Sequence, residues 1–320
     1  MATIALDYDL YPHIIEAIVS HAPFGALLPL RATCNAINLQ VDALLFTHQR
    51  LYEIPGPEYN HSGHRATPSY ILTLPKNSSV RSDTATPRLP DFGAPQRAIT
   101  LDADCRRVTH DLAEMFTKLH TLRRTLPCVQ EYHDSFFPHV HTAVYLLTLQ
   151  EDRRVNLGVD RPLIHIPRSV ERLVLHIRHE KTKMSGTLDN DLRLTTGNTI
   201  REFVFAPWPP YGHLYEFMTM VFRFAARGSR DGFDITVVGL ERAYPELLPD
   251  PNNPAKFDAD HVKRAMRDTY QEFKIMAVGP EYAPVVELPP NLRVLTLEEW
   301  YAELGNRREM ERGFEVVVGA

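Results

Sequence analysis

Three cysteines, Cys34, Cys105 and Cys128, are all that 320 residues contain, and no two stand in C-x-x-C spacing. That excludes a disulfide scaffold and a zinc ribbon and fits a reducing compartment. No stretch approaches the roughly 20 consecutive apolar residues of a membrane span. The first residues also lack the basic start and unbroken apolar run of a secretory signal. Positive charge is scarce too: 35 Lys and Arg stand against 40 Asp and Glu, for a formal net charge of -5. With no cations gathered into a block, neither nucleic acid nor a membrane is an expected partner, and the expected location is cytoplasmic or nuclear.

Catalytic signatures are missing as well. There is no G-x-S-x-G nucleophile turn, no G-x-x-x-x-G-K-[ST] loop and no G-x-G-x-x-G loop. Cys105 and Cys128 lie near His110 and His133 in the chain, but no spacing specifies a thiolate dyad. The one grouping with metal-ligand character is His133-Asp134 followed by His139-Val-His141. Its last two histidines share a face if that segment is extended. Further ligands at successive strand ends are not evident, only scattered His165, His176 and His179. The expectation is a protein without enzymatic machinery or cofactor, with a metal-dependent hydrolase using His139 and His141 as an alternative.

What the chain does contain is an ordinary globular balance, 44% hydrophobic and 23% charged. Its length exceeds what one hydrophobic core usually organises, which favours two or more units. Proline divides them. Of the 25 prolines, Pro55, Pro57, Pro68, Pro75, Pro87, Pro90 and Pro95 fall between Tyr52 and Arg97, a density hostile to long helices and central strands. Residues 51–97 therefore read as a partly disordered linker, interrupted only by the apolar run Tyr70-Ile-Leu-Thr-Leu74. It separates an N-terminal unit, 1–50, from a larger one, 98–320.

In the N-terminal unit Asp9 is placed to cap a helix whose first turn holds Pro12, with Ile14, Ile15, Ile18 and Val19 forming one face. Leu27, Leu28 and Leu30 open a second apolar run that continues at Cys34, Ile37 and Val41, and Leu44 to Phe46 extend it into a third short helix. Only Asp7, Asp9, Glu16, Arg31, Asp42 and Arg50 are acidic or basic between Met1 and Arg50. Three amphipathic helices with so few charges must have part of their surface covered. The series of Leu6, a Pro-marked helix with an Ile-Ile-x-x-Ile face, and Leu27-Leu-Pro-Leu-Arg-Ala-Thr-Cys34 resembles the F-box of fungal F-box-like proteins, over about the first 46 residues. The resemblance implies an intracellular substrate receptor docking on the linker subunit of a cullin-based ubiquitin ligase. Leu6, Leu10, Pro12, Ile14, Ile15, Ile18, Leu27, Leu28 and Leu30 would form or support that docking surface.

Beyond Arg97, short β-branched runs alternate with helical ones. Strands are expected at Ala98–Leu101, Arg172–Ile177, Arg201–Phe205, Phe233–Val238 and Glu272–Met276, with helices over 111–123, 215–227 and 258–269. Regular alternation predicts an α/β domain with a mostly parallel sheet, either layered or an irregular leucine-rich-repeat-like arc. The segments Ile166-Pro-Arg-Ser-Val-Glu-Arg-Leu-Val-Leu-His-Ile177 and Leu288-Pro-Pro-Asn-Leu-Arg-Val-Leu295 are similar to entries of degenerate leucine-rich repeats. A last helix, Glu298–Gly305, is similar to the C-terminal tail of the same fungal proteins. The densest aromatic segment, Phe203 to Phe217, includes Trp208 and Tyr211 beside Pro207, Pro209 and Pro210. Rigid aromatics of this kind suit the recognition of a protein cargo, here unknown, although a strand and helix of the core account for most of them. The remaining alternative is a non-catalytic scaffold whose N-terminal helices pack on its own α/β domain.

Overall fold

Ala-Val-Tyr-Leu of residues 143–146 and Leu-Val-Leu-His-Ile of 173–177 are buried at every position and apolar except for His176, as expected for strands covered on both faces. Together they form the centre of a nine-stranded sheet in the computed structural model. The structure describes residues 12–22, 26, 29–30, 33–34, 37–38, 40–41, 48–54, 69–73, 96, 98–104, 108, 110–124, 132–133, 137–150, 163–180, 193–195, 200–208, 214–253 and 256–304.

Twelve described strands follow in chain order: β1 His48–Ile54, β2 Ser69–Thr73, β3 Thr100–Asp104, β4 Thr121–Arg124, β5 Tyr132–His133, β6 Thr142–Gln150, β7 Leu163–His165, β8 Arg172–Glu180, β9 Arg193–Thr195, β10 Glu202–Trp208, β11 Asp234–Val238 and β12 Leu292–Leu295. The large sheet is ordered β12-β11-β10-β8-β6-β4-β3-β1-β2. Eight of its strands are parallel, and β2 alone runs antiparallel, at the edge beside β1. Every parallel strand lies next to its predecessor in the large sheet, so the chain advances in one direction without returning. Thr100, Thr121, Thr142, Arg172, Glu202 and Asp234 share one row of the register, spaced 21, 21, 30, 30 and 32 residues apart.

The crossovers change character along the chain. Those after β4, β6 and β8 carry β5, β7 and β9, which form a second, three-stranded parallel sheet. The crossover after β10 carries a helix of 18 residues, Leu214–Asp231, and the one after β11 carries Leu240–Ala243 and then a helix of 20 residues, Ala259–Val278. Numbering helices in chain order, α1 is Pro12–His21, α2 His110–Glu114, α3 Leu214–Asp231, α4 Leu240–Ala243, α5 Ala259–Val278 and α6 Leu297–Leu304. Asp258 caps α5, accepting from the backbone N–H groups of Asp260 and His261, and Gly279 ends it at a φ of 86°.

Side chains alternate across the large sheet. On one face Leu101, Leu122, Ala143, Leu173, Phe203, Ile235 and Leu292 form a continuous buried row, completed from the helical side by Phe217, Val221, Ala225, Val262 and Met266. On the other face Val144, Leu146, Val174, Val204, Val238 and Leu295 are covered by Leu297, Trp300 and Leu304 of α6. The helix-sheet contact of α3 is close at Gly228, where a Cβ would stand 2.5 Å from Asn291 Nδ2 and 2.6 Å from the Phe233 carbonyl oxygen. Asn291 meanwhile donates to that carbonyl at 2.8 Å and accepts from Ser229 Oγ at 2.7 Å, tying the end of α3 to the entry of β12. Gly228→Ala is expected to cost about 1–3 kcal/mol by forcing this junction apart, seen as a lowered midpoint in urea unfolding.

Several expected elements are corrected. The helix expected over 111–123 is only α2, five residues long, and Thr121–Arg124 is instead the fully buried strand β4. The backbone N–H groups of His120 and Thr121 both donate to the Ile99 carbonyl, fixing that segment to β3. The strand expected at Glu272–Met276 belongs to α5, whose inward stripe of Val262, Met266 and Tyr270 keeps helical spacing. Over five residues, the apolar positions Phe273, Ile275 and Met276 do not by themselves distinguish the two periods. The sheet also begins upstream of residue 98, because β1 and β2 lie partly or wholly within the proline-rich stretch read as a linker. Residues 77–90 lie outside the described residues.

Candidate functional site

Helix α1 begins at Pro12, where a missing N–H leaves no intrahelical bond unmade. Its four large aliphatics then divide into two pairs. Ile15 and Val19 are buried, as is Val41, whereas Ile14 is 40% exposed and Ile18 46%. Each pair is spaced i, i+4 and so forms one strip along the helix axis, and successive residues such as Ile14 and Ile15 are turned about 100° apart. The single apolar face expected for these four residues is therefore two faces, one inward and one outward. Gln40 donates from Nε2 to Glu16 Oε1 at 3.4 Å, joining α1 to the helical residues Gln40 and Val41. Among the described residues, neither core cluster of the sheet takes in Ile15, Val19 or Val41.

Of the other residues expected on the docking surface, Pro12 and Leu30 are half-buried, and Leu6, Leu10, Leu27 and Leu28 lie outside the described residues. Trp208 ends β10, and Tyr211 lies outside the described residues. Their neighbours Phe203, Phe205 and Phe217 are buried, with Phe203 4.7 Å from Phe233 and Phe205 5.4 Å from Phe224 between ring centroids. The core accounts for that part of the aromatic segment.

The histidine pair does not share an extended segment. His139 occupies a turn and His141 immediately precedes β6, so the alternation that would aim both at one ligand is absent. His141 instead stacks on His120, its neighbour one strand back, at 5.1 Å between centroids and 25° between planes. No group of three or more His, Cys, Asp or Glu side chains able to hold a metal occurs among the described residues.

Two polar clusters escaped the sequence reading, both on the face that α6 partly covers. Arg123 grips Asp102 with two hydrogen bonds, Nε to Oδ1 at 2.5 Å and Nη2 to Oδ2 at 2.7 Å, and both residues are buried. Farther along, Glu202 accepts from Arg172 Nη1 at 2.7 Å and from Thr236 Oγ1 at 2.9 Å. The available signal was a repeat: Thr100-Leu101 and Thr121-Leu122 recur at the same interval as Asp102 and Arg123.

Helix α6 is fixed over this face by a reciprocal cap. Thr296 N–H donates to Glu299 Oε2 at 2.8 Å, and Glu299 N–H donates to Thr296 Oγ1 at 3.0 Å. The Leu297 N–H donates to Glu241 Oε1 at 3.0 Å, anchoring the same end to α4. These arrangements are structural. Among the described residues of the first fifty, the large aliphatic side chains that remain exposed are Ile14 and Ile18. Comparison of the chain with protein-family models, with curated proteins and with solved structures finds no match.

Proposed function

We propose that this chain is an intracellular protein-interaction module, an F-box-like substrate receptor of a cullin-RING ubiquitin ligase. In this reading α1 presents Ile14 and Ile18 to the ligase linker subunit. The α/β region, an arc of leucine-rich-repeat-like units, holds a protein cargo by contact alone. The observation that carries the proposal is the division of α1: Ile15 and Val19 are buried, while Ile14 and Ile18 are exposed side by side. A helix serving only as an internal cap gains nothing from a second aliphatic strip in water. Covering the exposed part of each isoleucine in a partner is worth about 1 kcal/mol, so the pair would contribute about 2 kcal/mol to a small interface. The one-directional succession of parallel strands supports the arc, since each unit then contacts mainly its neighbours.

The test is recovery of purified linker subunit on the intact chain and on the variant carrying Ile14→Asp and Ile18→Asp. Both side chains reach water, so the variant should remain folded by circular dichroism while its recovery falls at least about tenfold, because burying the new carboxylates is unfavourable. Equal recovery by parent and variant defeats the docking assignment.

A further inference from the structure

Five exposed apolar residues within one short stretch mark a second surface, at the C-terminal end of α5 and the loop that follows. Ile275, Met276 and Val278 lie on the last turns of the helix, off the stripe that packs inward, and Tyr282 and Val285 follow. Met276 is 72% exposed, Tyr282 73% and Val285 86%. Exposed aliphatics are common singly, but five within residues 275–285 mark a candidate contact. This loop is also held in place. Gly279, at a φ of 86°, donates to the Ile275 carbonyl at 2.8 Å, and its own carbonyl accepts from Tyr282 N–H at 3.2 Å and Ala283 N–H at 3.1 Å. Val286 N–H donates to Gln271 Oε1 at 2.7 Å, and Pro280 and Pro284 stiffen the backbone between. A pre-set surface loses little conformational entropy when it is covered.

We propose that this surface docks a basic, apolar polypeptide segment of a partner protein. Three observations select that chemistry. Exposed Glu272, Glu281 and Glu287 accompany the patch, while the cation between them, Lys274, is half-buried with Nζ 5.4 Å from the Tyr270 ring centre. Helix α5 has no basic residue in its last turn, so its negative end is uncompensated and favours an incoming Lys or Arg. On α3, which lies beside α5 with Phe222 stacked on Tyr270 at 4.8 Å, Arg227 and Arg230 are both engaged by Asp231 at 3.0 and 3.1 Å. Those two guanidiniums, Arg227 foremost, hold the Asp231 carboxyl below its usual range. A second copy of the chain is disfavoured as occupant, because a two-fold contact would set the same three carboxylates against each other. An anionic membrane is repelled for the same reason. The inference stands apart from the α1 docking reading and does not depend on it.

The experiment titrates the full chain into a fluorescently labelled synthetic amphipathic helix of leucine and lysine, read by anisotropy, beside the same peptide with glutamate replacing lysine. The lysine peptide should bind and the glutamate peptide should not, with binding weakened by added salt. Affinity should fall about tenfold in Glu281→Lys with Glu287→Lys, and comparably in Tyr282→Ser with Val285→Ser. All four positions are exposed, so the parent melting temperature should be retained. No binding of the lysine peptide, equal binding of both peptides, or unchanged affinity in both variants overturns the proposal. A concentration-dependent dimer in sedimentation that is lost in Tyr282→Ser with Val285→Ser also overturns it, since the patch would then belong to a second copy.

Discussion

Trp300→Ala is expected to lower the free energy of unfolding by about 3–5 kcal/mol. The indole is 1% exposed and is the largest fully buried side chain of the described residues. It fills the space between α6 and the strip formed by Val144, Val174 and Val204, and lies 6.3 Å from the His176 ring between centroids. Nothing else in an eight-residue helix can replace that volume: Leu297 and Leu304 flank it one turn away on either side. A cavity beneath α6 would also remove the reason for the helix to stay docked, so part of the loss should appear as local unfolding of residues 297–304 in hydrogen exchange. Trp300→Phe provides the informative contrast. The indole Nε1 is buried without a hydrogen-bond partner among the described residues. Leaving a buried donor unpaired costs about 1–3 kcal/mol, so removing it offsets much of the area lost with the smaller ring. The phenylalanine variant should fall within about 1.5 kcal/mol of the parent. Urea unfolding followed by circular dichroism gives both numbers. A large loss in both variants would mean that the indole N–H is satisfied and contributes to stability.

How far the fold could be read from the chain varies with how local its causes are. Helix α3 and the first part of α5 were legible from their apolar stripes, with a cap at Asp258 marking the start of α5, but the last part of α5 carried the pattern of a strand. The strands β8, β10 and β11 were legible as dense apolar runs. Strand β4 was not, because Thr121-Leu-Arg-Arg124 holds two arginines, and charged residues suggest a solvated helix. What makes Arg123 compatible with burial is Asp102, its register neighbour on β3, and no local pattern contains that pairing. The entry of the sheet was masked by composition. Pro55, Pro57, Pro68 and Pro75 stand outside β1 and β2, so proline content described the connections and hid the strands between them. In the N-terminal unit the aliphatic residues of α1 were evident, yet their division into an inward and an outward pair depends on which side the rest of the unit covers. Similarly, the sequence could not separate the outward-facing Ile275 and Met276 from the inward-facing Tyr270 without knowing where the sheet lies.

The Asp102–Arg123 pair leads to the second large effect. Asp102→Ala is expected to destabilise the protein by about 3–5 kcal/mol, because it removes the carboxylate that takes two hydrogen bonds from the Arg123 guanidinium in a site from which water is largely excluded. Almost none of that loss measures what the pair adds to stability. Desolvating both ions opposes their attraction, and the two parallel hydrogen bonds at 2.5 and 2.7 Å offset that cost without clearly exceeding it. The joint replacement Asp102→Leu with Arg123→Met should therefore recover most of the stability lost in the single variant. Both replacements retain bulk, and the neighbouring position on β6 is Val144, so an apolar pair continues a strip already present. A double-mutant cycle should show strong coupling between positions 102 and 123, at the upper end of the roughly 0.5–3 kcal/mol found for contacting residues. If the joint variant is as unstable as Asp102→Ala, the pair is an energetic necessity for β3 and β4. If it recovers, the charges serve alignment: a bidentate grip between adjacent strands is satisfied only when Asp102 stands opposite Arg123. That alignment matters here because one-residue slippage would exchange the two faces of β4, turning Leu122 away from the core. Four residues offer few other contacts to set the register, and the ion pair supplies a test that apolar packing alone does not.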